Sequence, residues 1–340
     1  MTTVTDLATQ KKLFFQLGTY NIIDCGIRTG KTYWAINNLK KFSRDGRLDR
    51  VLYLVDTTTL KEQIIQQYSE TCADYWEGPS SWGETTNKIG IMCYQGFGAR
   101  LIRGENEFLK GIDVICWDEC DSIFDFAAQA FLKARKTDYA RKSDSHEQAF
   151  SNGEILAVIQ KYSSRQEYMP LILLGMWEEI INEGRILCIG LSASPERARA
   201  YYSSLVSKSN AGKLEAGYRI AADIYFTNVL DHIRQLRPEP GRGFWCYSPY
   251  IETNVGIVAC ARNQGFNAIE IHSPNNKDKP MNEEQMRVYN YIVATGMVPP
   301  EYDFIVVNKA LARGINIIDR RFDNVIIDSF EAADRIQAAR

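Results

Sequence analysis

The stretch Tyr20–Trp34, with the sequence YNIIDCGIRTGKTYW, decides how the chain is interpreted. It consists of an apolar run, a tight turn that contains glycine, and Gly30-Lys31-Thr32 at the start of a predicted helix. Phosphate binding needs backbone N–H groups at a helix N-terminus, a lysine that reaches the β and γ oxygens, and a hydroxyl that helps to hold Mg²⁺. Lys31 and Thr32 supply the last two, so the stretch predicts a phosphate-binding loop.

This loop departs from the general pattern G-x-x-x-x-G-K-[ST] at its first position. Cys25 stands where the pattern has glycine, and Gly26 follows one residue later. Arg28 lies within the loop, where it would either help to bind the phosphates or alter how the nucleotide is handled. Taken alone, the stretch has an alternative explanation, which is a chance G-K-T after a strand.

Length and composition describe an ordinary globular protein. The 340 residues are enough for two domains, each with its own core. Hydrophobic residues make up 45% of the chain and charged residues 24%. The formal net charge of -2 and the isoelectric point near 6.1 give no global basic signal. Any contact with nucleic acid must therefore come from a local surface.

The cysteine pattern indicates a reducing, intracellular environment. Eight cysteines are scattered singly through mostly apolar runs, as expected for reduced core thiols. Cys116 and Cys120 are the only near neighbours, and with three histidines in the chain this argues against zinc. No charged-then-apolar leader opens the sequence, and no apolar run is long enough to span a bilayer. We therefore expect a cytoplasmic location and no membrane partner.

Apolar, β-rich runs alternate with helix-like stretches almost throughout, which predicts an α/β fold with parallel sheets covered by helices. We assign residues 1–210 to a first domain and residues 211–340 to a second, with the connection inside about 207–236. A highly charged stretch within 123–165 predicts a helical insertion with a solvated face. The second domain is predicted to contain strands at 243–247, 268–272, 304–307 and 325–328 and helices at 251–263 and 282–295.

The apolar run Val114–Trp117 ends on Asp118-Glu119. Phosphoryl transfer is catalysed mainly by positioning and charge neutralisation, so an acidic pair is the natural partner of a phosphate loop. We expect Asp118 to hold Mg²⁺ together with Thr32, and Glu119 to polarise the attacking water. A strand that ends in D-E is common, but its position after the G-K-T stretch makes a nucleoside triphosphatase the favoured interpretation.

Ser192-Ala193-Ser194 follows another buried run, and an ordinary strand-to-helix turn with hydroxyl caps would explain it alone. This run is, however, one of a series whose order along the chain resembles the motif series of the superfamily-two helicases and translocases, with their D-E-A-D or D-E-x-H boxes. The runs are G-K-T, V-D-T-T-T-L, C-Y-Q-G-F, D-E-C-D, L-S-A-S-P, A-L-A-R-G-I-N-I and D-R-I-Q-A-A-R. The likeness is greatest to viral and phage replication or origin-binding helicases.

The resemblance implies two tandem RecA-like domains, each a mostly parallel sheet flanked by helices, with ATP between them and a nucleic-acid strand across both. It implies that Thr57, Thr58, Thr59 and the Gln95-Gly96 turn touch the nucleic-acid backbone. Hydroxyl groups and the backbone N–H groups at a helix N-terminus can make such contacts without a large basic surface, which fits the near-neutral net charge of the chain.

The resemblance also assigns the remaining site residues. Asn316, in the run R-G-I-N, would face the nucleotide or its Mg²⁺, and Gln337 and Arg340 resemble the start of the last motif, whose arginines act on the γ-phosphate. The spacing departs by one residue from that of the family's last motif, so either Arg335 or Arg340 would act on the γ-phosphate. We expect the motif to continue beyond this sequence. The predicted nucleotide-binding residues are Gly26, Arg28, Thr29, Gly30, Lys31, Thr32, Gly314, Asn316 and Gln337. The predicted catalytic residues are Lys31, Asp118, Glu119 and Arg340.

The sequence thus predicts an ATP- and Mg²⁺-dependent nucleic-acid helicase or translocase, with DNA favoured over RNA and replication proteins as expected partners. The alternative is a replication initiator or remodeller that closes on nucleic acid when ATP binds and does not unwind it. A packaging-terminase motor would need a nuclease half with clustered acidic residues, which the second half does not offer.

Overall fold

The computed structural model describes residues 13–25, 30–75, 87–124, 126–128, 130, 169–193, 195–207, 213–214, 226–274, 276, 278–308, 311 and 317–329. Most of the predicted insertion at 123–165 lies outside these residues. Within them, no helix is both long and apolar enough to cross a membrane.

The described part of the first unit is built on a seven-stranded parallel sheet. Its order across the sheet is β3-β4-β2-β5-β6-β1-β7. In chain order the strands are β1 (Tyr20–Cys25), β2 (Val51–Val55), β3 (Cys72–Asp74), β4 (Ile89–Cys93), β5 (Val114–Asp118), β6 (Leu187–Ser192) and β7 (Lys213–Leu214).

Helices separate most of these strands. They are α1 (Lys31–Asn38), α2 (Thr58–Gln67), α3 (Tyr94–Ile102), α4 (Met169–Asn182) and α5 (Glu196–Tyr201). Every residue of β1, β2, β5 and β6 is buried. Strands covered on both faces need continuous apolar runs, which is why these segments do not alternate between apolar and polar residues.

The core of the first unit is rich in large aromatic side chains. Trp117 on β5 and Trp177 on α4 are both buried and meet edge to face, with ring centroids 5.1 Å apart. Gly190 on β6 leaves room for its neighbours, since a Cβ there would lie 2.8 Å from the Tyr20 hydroxyl and 2.9 Å from the Cys120 sulfur. The glycine therefore permits a close approach between β6 and these two side chains.

The described part of the second unit contains a four-stranded parallel sheet with the order β11-β8-β10-β9. Its strands are β8 (Phe244–Tyr247), β9 (Ala268–Ile271), β10 (Phe304–Val307) and β11 (Asn324–Ile327). The helices that precede or separate these strands in the chain include α6 (Val229–Gln235), α7 (Ile251–Asn263) and α8 (Glu283–Thr295). At the start of α8, Asn282 and Gln285 exchange side-chain and backbone hydrogen bonds, and the helix ends at Gly296 with φ 69°. Both ends carry the residues that helix termini prefer.

The structure confirms the predicted fold class, since each unit is a parallel sheet with helices. Contacts divide the chain into residues 1–56 with 69–218 and residues 57–68 with 219–340. The domain ranges 1–210 and 211–340 stay a prediction. By this division α2, which follows β2 in the chain, belongs with the second unit.

One buried hydrogen bond joins α2 to α8 within that second unit. The Tyr289 hydroxyl donates to Thr59 Oγ1 over 2.9 Å. Thr59 is 6% exposed and Tyr289 is 3% exposed. A hydrogen bond of this kind contributes about 0.5–1.5 kcal/mol to stability.

We expect Tyr289→Phe to lower the free energy of unfolding by about 1 kcal/mol, because the Thr59 hydroxyl loses its buried donor. Urea denaturation followed by circular dichroism would measure the change. Tyr291→Phe, at a 40% exposed position on the same helix, is the control and should have little effect. In the double variant with Thr59→Val the two losses should not add, and additive losses would contradict a direct interaction.

Candidate functional site

The candidate site lies at the carboxyl edge of the first sheet, where β5, β6 and β1 are neighbours. Lys31 and Thr32 open α1, Asp118 ends β5 with Glu119 following, and Ser192 ends β6. Because these strands are parallel, their carboxyl ends meet at one edge, which is where ligands bind in open α/β sheets.

The start of α1 is fixed by a glycine and a buried tryptophan. Gly30 stands before the helix with φ 77° and ψ 32°, in the left-handed region, and its carbonyl accepts from the Trp34 N–H over 2.8 Å. Trp34 and the two residues after it are buried, which holds the helix against the sheet. Lys31 and Thr32 stay partly accessible at the helix start.

Asp118 is buried, and both of its carboxylate oxygens accept hydrogen bonds. Its Oδ1 accepts from the backbone N–H of Glu119 over 3.1 Å, and its Oδ2 accepts from the Thr32 hydroxyl over 3.4 Å. Asp118 is only 3% exposed. The predicted pair of Mg²⁺ ligands, Thr32 and Asp118, is therefore in direct contact.

Lys31 and Glu119 form an ion pair between Nζ and Oε1. The Lys31 side chain is 10% exposed and that of Glu119 is 3% exposed, so the pair is largely shielded from water. Glu119 has φ 50°, which is rare for a residue other than glycine and costs of the order of 1–3 kcal/mol. The carboxylate on this strained backbone faces the lysine at the helix start.

The acidic run is also connected to β6. The Ser192 hydroxyl donates to the Asp121 carboxylate, and both residues are buried. The Cys120 N–H donates to the Leu191 carbonyl over 3.1 Å. The first serine of the S-A-S run is thus bonded to the last acidic residue of D-E-C-D, whereas Ser194 lies outside the described residues.

Two side chains beside this site were not predicted from the sequence. Tyr53 on β2 is fully buried, and its hydroxyl lies beside Asp118 and Thr32. Burial, followed by the negative charge of Asp118, raises the pKa of Tyr53 well above its usual value, so the hydroxyl keeps its proton. Arg199 on α5 forms an ion pair with Asp24 on β1 over 3.3 Å. The only signal for Tyr53 was a polar atom within the apolar run VLYLV.

The described residues fit a Mg²⁺ ion. This hard cation prefers oxygen ligands, and the Thr32 hydroxyl and the Asp118 carboxylate are oxygen donors already in contact. The buried Tyr53 hydroxyl beside them makes no hydrogen bond of standard geometry. Burial raises the pKa of the Cys25 thiol at the end of β1, which keeps that sulfur protonated and apolar in character.

The structure thus brings together Lys31, Thr32, Asp118 and Glu119, with Gly30 at the helix start. The other predicted site residues lie outside the described residues, and their roles stay predictions: Gly26, Arg28, Thr29, Gly314, Asn316, Gln337, Arg335 and Arg340.

The residues predicted to touch nucleic acid have local partners. Thr57 Oγ1 accepts from the Leu60 N–H over 3.2 Å and so caps the start of α2. Thr59 is buried against Tyr289, and Thr58 is exposed. The Gln95 amide donates to the Asp56 carbonyl over 3.3 Å. Of the three threonines, only Thr58 presents an exposed side chain.

A lysine and a hydroxyl at a helix start, facing an acidic pair at the end of a parallel strand, define a phosphate-loop nucleoside triphosphatase. The family described as "Type III restriction enzyme, res subunit" matches residues 21–197, more than half of the 340-residue chain. The chain therefore belongs to the Type III restriction enzyme res subunit family. It is an ATP-hydrolysing enzyme of the superfamily-two helicase class, as its motif series predicts.

Solved structures agree on the fold, whereas no curated protein matches the chain. S. cerevisiae Dbp5 bound to RNA and ADP BeF3 is similar at 13% identity with a TM-score of 0.53, over 94% of this chain and 75% of that one. Mss116p bound to ssRNA and AMP-PNP is similar at 12% identity with a TM-score of 0.52, over 94% of this chain and 63% of that one. The match confirms the prediction of two tandem RecA-like domains.

We expect Gly30→Ala to lower the free energy of unfolding by about 1–2 kcal/mol, since the left-handed backbone strains any residue with a Cβ. No heavy atom lies within 4 Å of the position of that Cβ, so a steric clash does not contribute. Urea denaturation would measure the loss.

Gly256→Ala on α7 is the matched control. It also has open space around its Cβ position and lacks a positive φ, so alanine there should raise stability by about 0.5–1 kcal/mol. If the two substitutions changed stability in the same direction, backbone strain at Gly30 would be contradicted.

Proposed function

We propose that this chain uses ATP hydrolysis at the Lys31–Glu119 site to translocate along DNA and to unwind it. The observation that carries the proposal is the contact between the start of α1 and the acidic pair after β5. The description of the family supports DNA as the substrate, because it names a restriction enzyme subunit and restriction enzymes act on DNA. The similar solved structures, by contrast, hold RNA.

The proposed chemistry follows from the charges at the site. Lys31 would exchange its ion pair with Glu119 for the β- and γ-phosphates of ATP, which neutralises phosphate charge and releases the carboxylate. Glu119 would then accept a proton from the water that attacks the γ-phosphorus, while the bond to the β-phosphate oxygen breaks. Thr32 and Asp118 would hold Mg²⁺, which supplies further charge neutralisation at the phosphates.

The remaining roles rest on the motif series. Ser192, through its bond to Asp121, would couple the state of the acidic run to the S-A-S segment. Gly314, Asn316 and Gln337 would complete nucleotide binding. Arg340 or Arg335 would stabilise charge on the γ-phosphate. Replication proteins as partners, a viral or phage origin and a cytoplasmic location stay predictions from the sequence.

We expect Glu119→Gln to lower kcat for ATP hydrolysis by about 10²–10⁴-fold, since the amide cannot accept the water proton. ATP binding should be kept, because Lys31 no longer has a competing carboxylate. Steady-state hydrolysis and equilibrium binding of a fluorescent ATP analogue would measure the two effects.

Glu107→Gln is the control for that substitution. It removes the carboxylate of another lysine–glutamate pair, Glu107 with Lys110, at an exposed position away from the site. Hydrolysis by Glu107→Gln should match that of the wild type. A kcat in Glu119→Gln close to the wild-type value would exclude Glu119 as the base.

We expect DNA to stimulate ATP hydrolysis more than RNA does. ATP hydrolysis by the wild-type chain would be measured without nucleic acid and with single-stranded DNA, duplex DNA and RNA. Each reaction would be run at low and moderate salt, because protein contacts with the nucleic-acid backbone weaken as salt rises. Strand displacement would be followed on tailed duplexes. Stronger stimulation by RNA would contradict the DNA assignment, and stimulation by DNA without displacement would favour a clamp or remodeller.

A further inference from the structure

The register of β2 and β5 puts Tyr53 on the same face of the sheet as Asp118. Tyr53 pairs with Cys116 in the parallel ladder, and Asp118 lies two residues after Cys116. Side chains alternate between the faces of a strand, so Cys116 and Asp118 share a face, and paired residues of parallel neighbours do as well. A tyrosine at this position is long enough to bring its hydroxyl to the carboxyl edge.

The Tyr53 hydroxyl reaches the site without a well-formed partner. The side chain is fully buried, its hydroxyl lies beside the Asp118 carboxylate and the Thr32 hydroxyl, and it makes no hydrogen bond of standard geometry. A buried hydroxyl that lacks a good hydrogen bond lowers stability, whereas phenylalanine would fill the same space without that loss. The other four residues of β2 are aliphatic. The hydroxyl therefore calls for an explanation other than packing.

The Asp118 carboxylate accepts hydrogen bonds from more than one direction. Its Oδ1 accepts from the Glu119 N–H over 3.1 Å, whereas the bond from Thr32 to Oδ2 is long at 3.4 Å. Each carboxylate oxygen has two lone pairs, so one carboxylate can accept several hydrogen bonds and also bind a cation. Carboxylates that bind metals are held by such outer hydrogen bonds, and removal of the donor typically costs about 10–100-fold in metal affinity or activity.

We propose that Tyr53 is a positioning residue for Mg²⁺ binding: when the cation binds, the Tyr53 hydroxyl donates to the Asp118 carboxylate and holds it in the orientation that binds the cation together with Thr32. This inference rests on the proposed function of the site. Tyr53 does not touch the nucleotide in this assignment, and it acts through Asp118 alone.

The test compares Tyr53→Phe with the wild-type chain by equilibrium binding of a fluorescent ATP analogue over a range of free Mg²⁺ concentrations and in EDTA. The half-saturating Mg²⁺ concentration should rise by about 10-fold or more. Affinity in EDTA should stay within about twofold of the wild-type value, because the hydroxyl acts through the cation. The thermal unfolding midpoint without nucleotide should be unchanged or higher, since a buried hydroxyl without a good hydrogen bond has been removed.

Tyr202→Phe is the matched control. Tyr202 is also a buried tyrosine of the first unit, but its hydroxyl donates to the Leu174 carbonyl over 2.9 Å. Its removal should lower the unfolding midpoint and leave the Mg²⁺ dependence as in the wild type. The two variants should therefore show opposite patterns, which separates a positioning role from a structural one.

The outcomes separate this inference from the function on which it rests. If the wild-type chain binds the nucleotide with a clear Mg²⁺ dependence and Tyr53→Phe has the same dependence, the role of Tyr53 is overturned alone. A Tyr53→Phe variant that only loses stability, as Tyr202→Phe should, overturns it too. If the wild-type chain shows no Mg²⁺-dependent nucleotide binding, the proposed function of the site fails.

Discussion

The candidate site depends on the ion pair between Lys31 and Glu119, because each charge is nearly buried and needs the other. Removing one partner of such a pair leaves an uncompensated buried charge and typically lowers the free energy of unfolding by about 3–5 kcal/mol. The backbone on both sides is in the left-handed region, at Gly30 with φ 77° and at Glu119 with φ 50°. Glycine adopts this region without strain, whereas Glu119 is strained there. Such strain persists only where the surroundings impose it, and it is concentrated at functional sites. The buried Trp34 on α1 and the packed strand β5 supply those surroundings.

The sequence was sufficient for most of the second unit. The predicted helix at 251–263 and the strand at 304–307 agree with the structure at both ends, and the helix at 282–295 begins one residue later. These elements carry local signals: apolar strand runs of four residues, a capping box at Asn282 and a left-handed glycine at Gly296. Where local chemistry specifies both ends of an element, the sequence alone is enough.

Other features could not be predicted, because their causes are distant in sequence or lack a periodic pattern. The helix Met169–Asn182 was not predicted. Nine of its fourteen residues are buried and its apolar residues are not confined to one face, so the sequence lacks the periodic pattern of an amphipathic helix. Thr59 was assigned to nucleic acid from its motif, yet it is bonded to Tyr289, 230 positions away. Tyr53 lies within an apolar run of the sequence. Its position beside Asp118 could not be predicted, because it depends on the order of the strands in the sheet.

The acidic run and the end of β6 form one packed assembly. Gly190 lets the Tyr20 hydroxyl and the Cys120 sulfur occupy the space of a Cβ, the Cys120 N–H bonds to Leu191, and Ser192 bonds to Asp121. A side chain at position 190 would push these groups apart, because the interior is close-packed. The end of β6 therefore cannot move independently of the segment that carries Glu119 without breaking buried hydrogen bonds. A change in charge at the Lys31–Glu119 pair would therefore act on the end of β6 through packed side chains and buried hydrogen bonds, which are the kinds of contact that carry coupling between sites.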